Sequence, residues 1–139
     1  MSEKTIFEKV ISGELPHYKV YEDEETYAFL DASPSVYGHT LVIPKKPYKN
    51  IYEIPDELDD KLFKTVKKMA RTIKKAFETD GINVVMNNEP AAGQVVFHAH
   101  IHIIPRFEND GGYHGQRLTY PEGKAQEIAD KIKATLESL

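Results

Sequence analysis

Apolar side chains recur along this chain with two periods, three to four residues in some stretches and two in others, and the changes of period mark its elements. In "TIFEKVISGELP", Ile6, Phe7, Val10 and Ile11 stand at helical spacing before Gly13 and Pro16 stop the run, which predicts a short opening helix. "YKVYEDEETYAFLD" predicts two strands around an acidic turn at Glu22 to Glu25, with Tyr18, Val20, Tyr27 and Phe29 as β-favouring side chains. "ASPSVYGH" has the composition of a loop, and "HTLVIP" after it predicts a short buried strand ended by Pro44. The longest periodic run is "DELDDKLFKTVKKMARTIKKAFETDG", where Leu58, Leu62, Val66, Met69, Ile73 and Phe77 step by three or four. Asp56 after Pro55 is the expected cap of this helix and Gly81 its expected stop. "INVVMNN" predicts another strand, residues 96 to 104 the last one, and "EGKAQEIADKIKATLESL" a closing helix.

Strands and helices segregate along this order rather than alternate, so the predicted class is α+β with an antiparallel sheet. No Gly-rich phosphate loop of either common spacing is present. The length of 139 residues suits one domain with a real core, and neither a repeat nor an interdomain linker interrupts it. Apolar residues at 40% and charged residues at 29% belong to a globular chain. A net charge of -4 argues against nonspecific nucleic-acid binding, although a local site for a small anion can oppose the global charge. With no cysteine, a disulfide framework and a thiolate zinc site are both excluded. No segment approaches the roughly 20 apolar residues that cross a bilayer, and a cytoplasmic protein without membrane partners is expected.

The chemistry concentrates in "VFHAHIHIIPRF", where His98, His100 and His102 alternate with Ala99 and Ile101. On a strand such positions share one face at about 6.8 Å spacing, while Phe97, Ala99, Ile101 and Ile103 take the other. Three readings compete: a polar strand face in water, a metal site, and nucleophilic catalysis by histidine. Three same-face positions span too far for one ion unless the strand bends, and no acidic partner sits nearby in sequence. A neutral imidazole can attack phosphorus while neighbouring imidazoles orient it and stabilise developing negative charge, which makes catalysis the leading reading.

"HAHIHII" resembles, at all seven positions, the His-φ-His-φ-His-φ-φ signature of the histidine triad (HIT) superfamily, φ being apolar. "TIFEKVISGELPHYKVYEDEETYAFLD", "SPSVYGHTLVIPKK" and "NNEPAAGQVVFH" also resemble that family's segments, so the likeness spans residues 4 to 107. Residues 108 to 139 are then a variable loop and a C-terminal helix within one domain over 1 to 139. The resemblance implies the HIT fold, a five-stranded antiparallel sheet with one long and two shorter helices, usually a homodimer. It also implies a hydrolase or transferase acting at the α-phosphate of a purine nucleoside phosphoramidate or related nucleotide, through a nucleotidyl-histidine intermediate and without a cofactor or catalytic metal. Dinucleoside polyphosphate hydrolysis, nucleotide binding with little turnover, and a His-ligated metalloenzyme are the alternatives.

By this resemblance His100 is the nucleophile, His102 a phosphate contact, His98 the residue that orients His100 through a hydrogen-bonded array, and His39 a fourth histidine near the phosphate. Asp31 matches the acceptor of ribose hydroxyls, with a turn before Ser33 and Pro34 as its other reading. Ile6, Phe7 and Phe29 match the apolar clamp on the base, and core packing explains Phe29 equally well. Asn87 and the backbone of Gly93, Gln94 and Val95 match phosphate and leaving-group contacts. There are departures. Thr5, Glu8 and Pro47 stand where many relatives carry zinc ligands, so no zinc is expected, and Val95 replaces a hydroxyl residue near the leaving group. "FENDGGYHGQRLTYPEG", with His114, reads as a surface loop rather than a cover over the site, and Lys45 and Lys46 as a solvated rim.

Overall fold

A computed structural model describes residues 3–112 and 116–139; His114 lies outside the described residues. The order is α1 (Ile6–Ile11), β1 (Lys19–Glu22), β2 (Thr26–Leu30), β3 (Thr40–Pro44), α2 (Asp56–Phe77), β4 (Gly81–Val85), β5 (Ile101–Arg106) and α3 (Lys124–Glu137). All five strands form one antiparallel sheet in the order β1-β2-β3-β5-β4, the α+β arrangement expected from the patterning.

Local chemistry accounts for most of the element ends. Thr5 caps α1: its Oγ1 accepts from Glu8 N–H while the Glu8 carboxylate accepts from Thr5 N–H, a reciprocal capping box. At α2 two expectations fail. Pro55 occupies the cap position and Asp56 is already helical, so its carboxylate makes no capping bond and acts instead as one of three acidic groups at the positive end of the helix dipole. The helix also stops at Phe77 rather than near Gly81, because Glu78 adopts a left-handed conformation (φ 49°, ψ 48°) and Gly81 already belongs to β4. The last strand likewise starts at Ile101, five residues later than the sequence pattern suggests, and runs on to Arg106.

The sheet is covered on both faces, which is why β2 and β3 are buried at every position. Ala28, Leu30, Val42 and Ile103 point to one face and pack against Leu62, Val66, Met69 and Ile73 of α2 and Ile128 and Ile132 of α3. Each such aliphatic side chain contributes on the order of 1.5–3 kcal/mol by leaving water. Tyr27, Phe29, Leu41 and Ile43 point to the other face, where α1 adds Phe7 and Val10. This second layer is thin, and the cavity described next opens within it. No helix among the described residues is long and apolar enough to cross a membrane.

Candidate active site

His102 is the one triad histidine inside regular β5, opposite Leu41 of β3 and therefore on the α1 face of the sheet. The chain bends ahead of the strand, so His98 and His100 are placed by hydrogen bonds rather than by a shared pleat. His98 is fully buried; its Nε2–H donates to Pro44 O (2.8 Å), an atom that can only accept, so Nδ1 must accept from the Thr5 hydroxyl (2.8 Å). Its backbone carbonyl in turn accepts from Nδ1–H of His100 (2.8 Å). That bond fixes the His100 tautomer and leaves Nε2 with a lone pair. Within the hydrogen-bonded array, His98 thus meets His100 through its peptide carbonyl. Phe97, expected opposite the histidines on a regular strand, lies in the bend ahead of β5 and is 41% exposed.

A second chain of bonds settles His39 and His102. Ser35 N–H donates to Nδ1 of His39 (3.0 Å), so the His39 proton is on Nε2 and donates to Nδ1 of His102 (2.9 Å). His102 then carries its own proton on Nε2. The rings of His100 and His102 meet edge to face with centroids 5.1 Å apart, so a ring with a free lone pair neighbours a ring with an N–H donor. Burial, the largest cause, lowers the pKa of all four histidines. His39 falls to about 4, where the pull of Asp31 only partly offsets burial, and His102 falls to about 3, with His39 and His100 adding to the burial effect. Neutral imidazoles are what the tautomer chain requires.

Both His100 and His102 line a cavity of about 630 Å³, within the range of small-molecule sites. Ile6, Phe7, Phe29, Asp31, Asn87, Gly93 and Val95 line it too, so it gathers most of the nominated residues. Phe7 meets His100 edge to face at 5.0 Å and Phe29 at 5.5 Å, so Phe29 serves core and cavity together. Asp31 also does both jobs: Oδ1 accepts from Ser33 N–H in a turn (2.9 Å), while Oδ2 lies 3.6 Å from His39 Nε2. Gly93 has φ +93°, which disfavours any other residue there. Gln94 braces the loop beside Gly93 and Val95. Its Oε1 accepts from Glu89 N–H, its Nε2 donates to Lys49 O and Val96 O, and its own N–H donates to Glu89 O, so it staples the loop from a buried position and does not line the cavity.

Sequence reasoning passed over three contributors. Thr5 holds His98; His17, whose Nε2 is 2.7 Å from the Tyr27 hydroxyl, lines the cavity; and residues 117 and 119 to 123 form a wall of it, so this described part of the supposed surface loop packs onto the site. Only the hydrogen-bonding capacity of those side chains hinted at this. Lys45 is held by Glu22 at 2.6 Å rather than left to the solvent.

Two metal questions have structural answers. At the three positions that the resemblance compares with zinc ligands, Thr5 and Glu8 are engaged with His98 and the helix cap and Pro47 has no donor side chain, so these residues do not fit zinc. Within the site, Asp31, His39 and His102 offer donor atoms all within 4.8 Å, so the fold supplies the acidic neighbour that the linear sequence lacks.

The HIT domain profile matches residues 12–109. A crystal structure of a HIT-like protein from Bartonella henselae superposes with TM-score 0.87 at 42% identity, covering 97% of this chain and 98% of that one. Adenylylsulfatase HINT3 of Arabidopsis thaliana is 44% identical over 105 residues, 76% of this chain and 53% of its own. Adenosine 5'-monophosphoramidase HNT1 of Candida albicans is 39% identical over 111 residues, 77% of this chain and 73% of its own. With the profile covering most of the sequence, the sheet superposing, and two histidines of the signature lining the cavity while the third is buried behind them, this chain belongs to the HIT domain family.

Proposed function

We propose that this chain is a nucleotide hydrolase or transferase that cleaves at the α-phosphate of purine nucleoside phosphoramidates or related nucleotides through a nucleotidyl-His100 intermediate. The observation that carries the reading is the pair of tautomers: an in-place lone pair on His100 Nε2 beside an N–H on His102 Nε2. The lone pair attacks phosphorus while the N–H donates to a phosphoryl oxygen as negative charge grows there; the P–N bond to the leaving group then breaks, and the amine departs with that electron pair and a proton taken from solvent. Asp31 accepts from the ribose hydroxyls, and Ile6, Phe7 and Phe29 enclose the base. Asn87 and the Val95 N–H, which has no protein partner among the described residues, contact the phosphate side. Water then releases the nucleoside monophosphate and restores His100. The names of the two relatives, a sulfatase and a phosphoramidase of adenylyl compounds, share this cleavage position.

The test is hydrolysis of adenosine 5'-phosphoramidate in excess chelator by the native chain and by His100→Ala. Turnover by the native chain, its loss in the variant, and retained binding of adenosine monophosphate are expected. Normal turnover by His100→Ala would overturn the assignment. Loss of native turnover on chelation would favour the second reading, a metal held by Asp31, His39 and His102, which the 4.8 Å donor cluster supports. We propose further that the chain acts as a homodimer.

A further inference from the structure

Residues 116 to 120 are laced to the loop that carries Asp31 and His39. Leu118 N–H donates to Pro34 O (2.7 Å), Gln116 Nε2 to Ser35 O (3.3 Å), the Tyr37 hydroxyl to Thr119 O (3.1 Å) and Gly38 N–H to the Tyr120 hydroxyl (3.1 Å). The rings of Tyr37 and Tyr120 stack at 5.0 Å. So many contacts hold Arg117 at one place on the rim. Its Nη1 donates to Ser33 O (2.8 Å) and stands 3.4 Å from Asp31 Oδ2, while Nε and Nη2 have no partner among the described residues. The side chain is 53% exposed, which leaves those donors open to a ligand.

Arg117 lines both the main cavity and a recess of about 150 Å³ that it shares with His39, Asn87 and His102. Among the described residues it is the one Lys or Arg lining either space. This matters because the histidines of the site are kept neutral by burial, so they offer a phosphate hydrogen bonds and a nucleophile but no fixed charge. A nucleotide with a single phosphate is served by that arrangement. One that carries a further phosphate or sulfate brings more negative charge into a partly desolvated cavity, and the guanidinium fork is the group there built to receive it.

We propose that Arg117 is a specificity-determining residue that binds a second anionic group of the substrate, a phosphate or sulfate, and biases the chain toward nucleotides that carry one. The proposal rests on the functional reading above and narrows it. With an anionic leaving group the step balances without a proton donor: His100 Nε2 forms the N–P bond, the P–O bond breaks, and sulfate or phosphate departs with that electron pair. Water then adds to phosphorus, the P–N bond breaks, one proton goes to solvent, and His100 recovers its lone pair. The second anion could equally be a phosphate on the ribose, close to Asp31.

The experiment compares native chain, Arg117→Ala and Arg117→Lys on adenosine 5'-phosphoramidate, adenosine 5'-phosphosulfate and 3'-phosphoadenosine 5'-phosphoramidate. The expected result is that Arg117→Ala lowers kcat/KM for a doubly anionic substrate, relative to the phosphoramidate, on the order of 10-fold or more, with part of the loss restored by Lys. A change confined to the phosphosulfate places the anion at the leaving group, and one confined to the 3'-phosphate places it at the ribose. Ratios that do not move, or an equal loss on all three substrates, overturn the proposal, the latter because Arg117 would then only position Asp31. A binding measurement separates this from failure of the catalytic reading. In a His100→Ala background, the preference for adenosine 5'-diphosphate or for adenosine 3',5'-bisphosphate over the monophosphate should fall when Arg117 is replaced, whether or not the native chain turns anything over, and both preferences unchanged would overturn the proposal.

Discussion

At the scale of single residues, the chemistry is decided by where four protons sit. The carbonyls of Pro44 and His98 and the N–H of Ser35 each accept or donate in only one sense, so they dictate the tautomers of His98, His100 and His39, and His39 dictates that of His102. Burial then holds the imidazoles neutral. A pH prediction follows from the sign of these shifts. Because the His100 pKa lies below its usual 6.5, the nucleophile stays unprotonated through that value, and the acid limb of kcat/KM should fall below pH 6.5. Between 6.5 and the depressed values, about 4 for His39 and about 3 for His102, the unfolded chain binds more protons than the folded one. Stability should therefore decline as pH falls through that window, seen as a lower Tm at pH 5 than at pH 7. An acid limb at or above 6.5 would contradict the assignment. The three alternating histidines were legible as chemistry because no strand face needs three imidazoles merely to meet water. The staple formed by Gln94 was not, because a glutamine that reaches back to Lys49 O looks in sequence like any polar loop residue.

At the scale of elements, periodicity found the three α-helices and five strands of the described residues, missed the short 3-10 turns at Ile51–Glu53 and Pro90–Ala92, and misplaced several ends. The buried stripe Leu58, Leu62, Val66, Met69 and Ile73 repeats along a whole helix face, so many residues vote for the same answer. An end rests on one residue. Glu78 closes α2 in a left-handed conformation that an L side chain enters at a cost, yet nothing in its chemistry announces this. Glu78→Gly, on an exposed site, should therefore stabilise the chain by about 1 kcal/mol in a denaturant titration. A destabilised variant would mean that Glu78 makes a compensating interaction. The late start of β5 has a different cause: His98 and His100 are drawn out of the strand by Pro44 O and by the His98 carbonyl, long-range and local bonds that a two-residue period does not encode.

At the scale of the whole molecule, the sheet leaves β4 as an edge, with unpaired backbone and Val84 half exposed, and Tyr52 and Phe63 are 71% and 66% exposed elsewhere on the surface. Exposed apolar edges are normally covered. If the proposed homodimer forms, light scattering should report twice the 15.8 kDa of one chain, while a concentration-independent monomer would refute it. The sequence by itself determined the α+β class, the core stripe of α2 and the histidine signature, because each is written in spacing that local backbone geometry converts directly into a face. Tertiary structure alone decided that Asp31 stands beside His39 and His102, that Thr5 holds His98 from 93 residues away, and that Arg117 closes the rim. These depend on chain closure, which brings together groups whose separation in sequence carries no trace of their contact.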